Sequence, residues 1–141
     1  MKTKEDIVQW LYENEEPFIK MADFIWANPE PAYREFKSSK YQADYLEEAG
    51  FRVKWDIGGI NTAFVAEWGT GKPVIGILGE YDALASLSQK VQTTPEPVVP
   101  GGAGHGCGHN LLGTGGLAAA VAIRRWLDDT GRKGTIRYYG C

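Results

Sequence analysis

"KPVIGILGEYDAL", Lys72 to Leu84, is the stretch on which the fold turns. Pro73 opens a continuous apolar run, Val74 to Gly79, and two carboxylates, Glu80 and Asp82, follow at once. A run without alternation suits a strand buried on both faces, as in a sheet covered by helices. In open α/β sheets ligands bind beyond the carboxyl ends of the strands. Glu80 and Asp82 stand at such an end, so they read as functional groups rather than solvated carboxylates. One of them would orient a ligand or support a metal from behind its direct ligands.

Upstream, Ile7, Trp10, Leu11, Phe18, Met21 and Ile25 recur at helical spacing and predict a helix from about Lys4 to Asn28, with Pro17 bending or dividing it. Asn28-Pro29-Glu30-Pro31 breaks the chain. A second helix is predicted from Tyr33 to Ala49, with Tyr41, Tyr45 and Leu46 on its apolar face and Gly50 at its end. Phe51–Trp55 and Thr62–Trp68 read as strands around Gly58-Gly59. Downstream, a long irregular segment runs from about Ala83 to Gly108, and a connection of that length is disordered or functional. A third helix from Asn110 to Asp129 and a strand at Thr135–Tyr139 close the chain. The order of elements predicts an α/β layered domain, its sheet carrying helices on both faces. The last strand runs almost to Cys141, so the chain reads as cut short within a domain.

The 141 residues are 43% apolar and 23% charged, with a net charge of −3 and no basic cluster. That balance suits a soluble domain and gives no reason to expect a nucleic-acid or anionic-membrane partner. The charged start and the lack of a long apolar stretch predict no secretory signal and no membrane span, hence a cytoplasmic protein. Two distant cysteines make no disulfide framework.

Both histidines, His105 and His109, and one of the cysteines, Cys107, fall within five residues, separated by glycines. Thiolate and neutral imidazole are ligands for zinc and neighbouring metals. Residues two apart in an extended segment point the same way, so Cys107 and His109 could face one ion, with His105 a third candidate on the same parity. A full site needs three or four protein ligands, which means recruiting His105, Glu80 or Asp82. Local spacing leaves a second reading open: a glycine-rich turn with a buried cysteine and histidines that satisfy backbone groups. Gly113-Thr114-Gly115-Gly116-Leu117-Ala118 fits a dinucleotide glycine pattern but fails its context, because it follows no strand directly. Those small residues are expected to let the helix approach the sheet. A Cys-His nucleophile pair ranks below metal binding, because no orienting group is evident.

The stretches "GILGEYDALASLSQ" (76–89), "GGAGHGCGHNLLGTGGLAAAVAI" (101–123), "GTIRYYGC" (134–141) and "NPEPAYREFKSSKYQADYLEEAGF" (28–51) resemble the N-terminal part of metal-dependent amidohydrolases of the aminoacylase and carboxypeptidase-G type. The branch is that of aminobenzoyl-glutamate hydrolases and related N-acyl-amino-acid hydrolases. The resemblance implies that Cys107 and His109 are metal ligands, that Glu80 or Asp82 helps to orient the site, and that His105 falls on a histidine often present there. It implies two divalent ions (Zn, Mn or Co), hydrolysis of an N-acyl or N-aroyl amino acid or small peptide, and a homodimer. It also implies that residues 1–141 are the first portion of a catalytic domain. The glutamate pair that supplies the base and a ligand, the later histidines and the lid or dimerisation domain are absent from it. On that account this chain alone is expected to hydrolyse nothing. The competing expectation is a truncated, non-catalytic paralogue that binds a metal or a partner. Relatives of the branch carry Pro-Gly where this chain has Ala85-Ser86, which loosens that turn.

Overall fold

A computed structural model describes residues 1–141. Helix α1 spans Lys4–Glu13 and α2 spans Glu16–Ala27. The single N-terminal helix expected from the periodicity is therefore two. Asn14 ends the first, and Pro17 sits in the first turn of the second, where its missing N–H costs nothing. Thr3 and Asp6 cap α1 reciprocally, each side chain accepting from the other's backbone N–H at 3.1 and 3.0 Å. Phe18, Met21, Ala22 and Ile25 form the buried stripe of α2.

Helix α3 runs from Phe36 to Glu48. Glu30, on the preceding break, accepts from the Lys37 and Ser38 amides and the Ser38 hydroxyl, and so supplies the cap that Glu35 does not. The buried face is Ser38, Ser39, Gln42, Ala43 and Leu46, rather than the Tyr41–Tyr45 side that hydrophobicity favoured. The Ser38 hydroxyl finds its partner in Glu30, at 2.9 Å. Tyr138 Oη donates to Gln42 Oε1 at 2.6 Å.

Strands β1 (Arg52–Trp55), β2 (Phe64–Thr70), β3 (Val74–Gly79) and β4 (Gly134–Gly140) form one sheet in the order β1-β2-β4-β3. The first two contacts are antiparallel and β3–β4 is parallel. Helix α4, His109–Thr130, makes the crossover between β3 and β4. The class is α/β, as expected. Within this chain the helices lie over one face of the sheet. Phe64, Ala66, Ile136 and Tyr138 join Phe18, Met21, Ile25, Leu46 and Leu117 in a single core, while the alternate residues Val65, Glu67, Arg137 and Tyr139 are half-buried.

The reading of Val74–Gly79 as buried on both faces is corrected here. β3 is an edge strand, and Val74, Ile75 and Leu78 are 49, 45 and 60% exposed. A continuous apolar run records what a strand can pack against, and within these residues β3 is covered from one side only. Its carboxyl end is nevertheless tightly built. A Cβ on Gly79 would overlap the Tyr138 hydroxyl, and one on Gly113 would overlap the Glu80 carbonyl oxygen. The glycines of α4 thus do what the sequence suggested, letting the helix start hard against the strand end.

Candidate metal centre

The chain leaves β3 at Gly79 and is held at every second residue. The Tyr81 amide donates to the Cys141 carbonyl, and the Ala83 amide to that of Glu30. Tyr81 is fully buried, its ring parallel to Phe64 and its hydroxyl donating to the Thr62 carbonyl. Thr62 is fixed in turn by a 2.6 Å hydrogen bond from its hydroxyl to the buried carboxylate of Glu35. With Tyr81 turned inward, the period-two geometry of extended chain turns Glu80 and Asp82 together to the other side.

The glycine loop delivers His109 to them. Gly108 adopts a left-handed conformation (φ 74°) that turns the loop into α4, and His109 is the first residue of that helix. Its Nδ1 lies 2.6 Å from Asp82 Oδ1 and its Nε2 lies 3.1 Å from Glu80 Oε2. Both ring nitrogens thus face carboxylate oxygens, which only accept, and the ring is clamped between them. A carboxylate on one ring nitrogen is the arrangement that orients a metal-binding imidazole, and here Glu80 stands at the other nitrogen. Cys107 is exposed at the surface of the same loop, two residues ahead. Burial, and then the charges of Glu80, Asp82 and Glu35, raise the Cys141 thiol above its ordinary pKa. The strand end is therefore an electronegative place, suited to a cation.

His105 is placed differently. It is 6% exposed, its Nε2 donates to the Ile25 carbonyl at 3.1 Å, and its ring lies against Trp26. Burial holds its pKa below the ordinary value. The structure thus brings together His109, Glu80 and Asp82, keeps Cys107 on the adjacent loop, and sets His105 apart from them. No group of three or more His, Cys, Asp or Glu side chains is arranged to hold a metal ion. The donor chemistry of Cys107 and His109, backed by two carboxylates, fits a divalent ion, but as part of a ligand set. Sequence reading passed over the supporting tier of Glu35, Thr62 and Tyr81. The alternation of Tyr81 with two carboxylates was its only local signal.

No family model matches the chain. Among curated proteins it is 53% identical, over 125 residues, to one of the subunits of the p-aminobenzoyl-glutamate hydrolase of Escherichia coli K12, a match that takes in 88% of this chain and 26% of that protein. Over most of its length the chain is thus similar in sequence to part of a named hydrolase subunit. A solved structure described as a dinuclear metal-binding peptidase of the M20 family, from Bacillus subtilis, superimposes with a TM-score of 0.63 at 26% identity, over 87% of this chain and 33% of that one. A protein of methicillin-resistant Staphylococcus aureus shares the fold over 98% of this chain and 34% of its own, with a TM-score of 0.79 at 19% identity. The chain therefore spans about a quarter of the length of its curated relative. No helix is long and apolar enough to cross a membrane.

Proposed function

We propose that these residues form part of the metal centre of a hydrolase that cleaves the amide bond of N-aroyl or N-acyl amino acids, aminobenzoyl-glutamate among them, or of small peptides. The observation that carries this is the His109 ring held between Asp82 and Glu80 at 2.6 and 3.1 Å, one turn of loop from Cys107. Identity to a named aminobenzoyl-glutamate hydrolase supports the substrate class.

Cys107 and His109 would hold a divalent ion (Zn, Mn or Co), which supplies Lewis acidity toward a carbonyl oxygen and acidifies water. Asp82 would hold the Nδ1 proton of His109 once an ion takes Nε2. Glu80 adds negative charge beside that nitrogen. Cys141, the residue after β4, lies near enough to the same carboxylates for their charge to raise its thiol pKa. The remaining ligands and the general base would come from outside these 141 residues, a reading supported by the fraction of the relatives that the chain spans. The complete protein would act as a homodimer in the cytoplasm.

The test is cobalt uptake by this chain, followed by the thiolate-to-cobalt absorption band. We expect weak binding that Cys107→Ala or His109→Ala abolishes, and no turnover of aminobenzoyl-glutamate. Binding indifferent to both substitutions would reject the assignment of the ligands. Turnover by the chain alone would reject the incomplete-centre reading.

A further inference from the structure

Glu35 is the one carboxylate buried in the fold, 3% exposed. It is held by an amide and a hydroxyl rather than by a cation: Oε1 accepts from the Tyr33 amide at 2.8 Å and Oε2 from the Thr62 hydroxyl at 2.6 Å. Taking a carboxylate out of water without a neutralising partner is costly. Helix α3 does not require it. Glu35 stands at the N-cap position, yet its side chain makes no cap, and Glu30 caps the helix instead. The Tyr33 backbone that Glu35 holds is itself strained, with φ +66°. Strained backbone of this kind clusters at functional sites.

The hydrogen bonds of this segment converge on Asp82. The Thr62 hydroxyl is tied to Glu35, and the Thr62 carbonyl accepts from the Tyr81 hydroxyl. The Glu30 carbonyl accepts the Ala83 amide at 2.8 Å, and Pro31 forms a bridge with Ala83. Tyr81 and Ala83 are the two chain neighbours of Asp82. Residues 30–35 therefore grip the chain on both sides of the carboxylate that meets His109 Nδ1 at 2.6 Å.

We infer that Glu35 is a positioning residue of the metal centre. Through Thr62 it keeps Tyr81 turned inward, and so it keeps Asp82 and Glu80 on the two nitrogens of the His109 ring. Glu35 acts only through these neighbours. The inference rests on the metal-centre reading above for what the His109 ring does.

The experiment uses the 141-residue chain, isotopically labelled, with two readouts: cobalt affinity and the nitrogen signals of the His109 ring. Glu35→Ala removes the acceptor. Thr62→Val removes the hydroxyl at nearly constant volume, and Tyr81→Phe removes the next hydroxyl and keeps the ring. We expect each to weaken cobalt uptake about tenfold, the lower end for loss of a group behind a metal ligand, and to shift the His109 signals. Thr62→Ser, which returns the hydroxyl, should recover both. Because these contacts form one chain, Thr62→Val combined with Tyr81→Phe should still cost about tenfold rather than about a hundredfold. Should Glu35→Ala not fold, Thr62→Val cuts the same bond from its other end. Variants that lower the urea midpoint but leave cobalt affinity and the His109 signals unchanged would overturn the inference, as would losses that multiply in the double variant. A lack of cobalt uptake in the unaltered chain would reject the metal reading by itself, because the His109 signals still report whether Glu35 governs Asp82.

Discussion

Asp82 and Ser86 show how much single positions carry near the strand end. The Asp82 carboxylate is the only group holding His109 Nδ1, and its side chain is 24% exposed, so its loss leaves no deep cavity. We expect Asp82→Ala to keep the fold, as read by circular dichroism, and to weaken cobalt affinity about 10- to 100-fold. Ser86 stands at a backbone position that favours glycine. Its φ is +61°, a conformation that L side chains rarely adopt. Ser86→Gly removes that strain but adds freedom to the unfolded chain. The net expectation is a gain of roughly 0.5–1 kcal/mol, measured by urea unfolding. The candidate ligands Cys107 and His109 were legible in sequence because their chemistry is rare in this chain and concentrated in five residues. The separation of His105 from them was not legible, because it depends on the Ile25 carbonyl, eighty residues away along the chain.

At the scale of the element, α4 decides whether the two halves of the site meet. Three of its glycines look alike in sequence and differ in the fold. A Cβ on Gly113 overlaps the Glu80 carbonyl and meets Gln42 Nε2 at 3.0 Å, one on Gly116 meets the Leu78 carbonyl at 3.2 Å, and one on Gly115 meets nothing. Gly115→Ala should therefore stabilise the protein by up to about 1 kcal/mol through helix propensity alone. Gly113→Ala should destabilise it by about 1–3 kcal/mol, as overpacking does, and should weaken cobalt uptake because Glu80 is pushed from His109. Thermal unfolding and cobalt titration of the pair check both halves of this expectation. The same scale explains the α1–α2 division. Pro17 announced a break, but only the cap residues around it fixed the break at Asn14 and Glu15.

The whole molecule has one finished face and one open one. β3 pairs with β4 along one side and presents its other edge, with Val74, Ile75 and Leu78 exposed. Long apolar edges of this kind pair with other chains. We expect concentration-dependent self-association in sedimentation velocity, reduced by Leu78→Lys, which places a charge on the strand without touching the core. Association unchanged by that substitution would locate the contact elsewhere.

Linear pattern was enough for the α/β class, the order of elements and the carboxylate-plus-glycine-loop constellation. These rest on local periodicity, on turn residues and on the scarcity of histidine and cysteine. It took the packed fold to make β3 an edge strand, to bury serines and a glutamine on α3, and to set Asp82 on Nδ1 of His109 and Glu80 on Nε2. Each of those outcomes is set by partners distant along the chain: the strand that pairs with β3, the Tyr138 hydroxyl that donates to Gln42 Oε1, and the helix start that brings His109 to the strand end. A sequence records what a residue can bury or bond, and the folded chain determines which of those partners it meets.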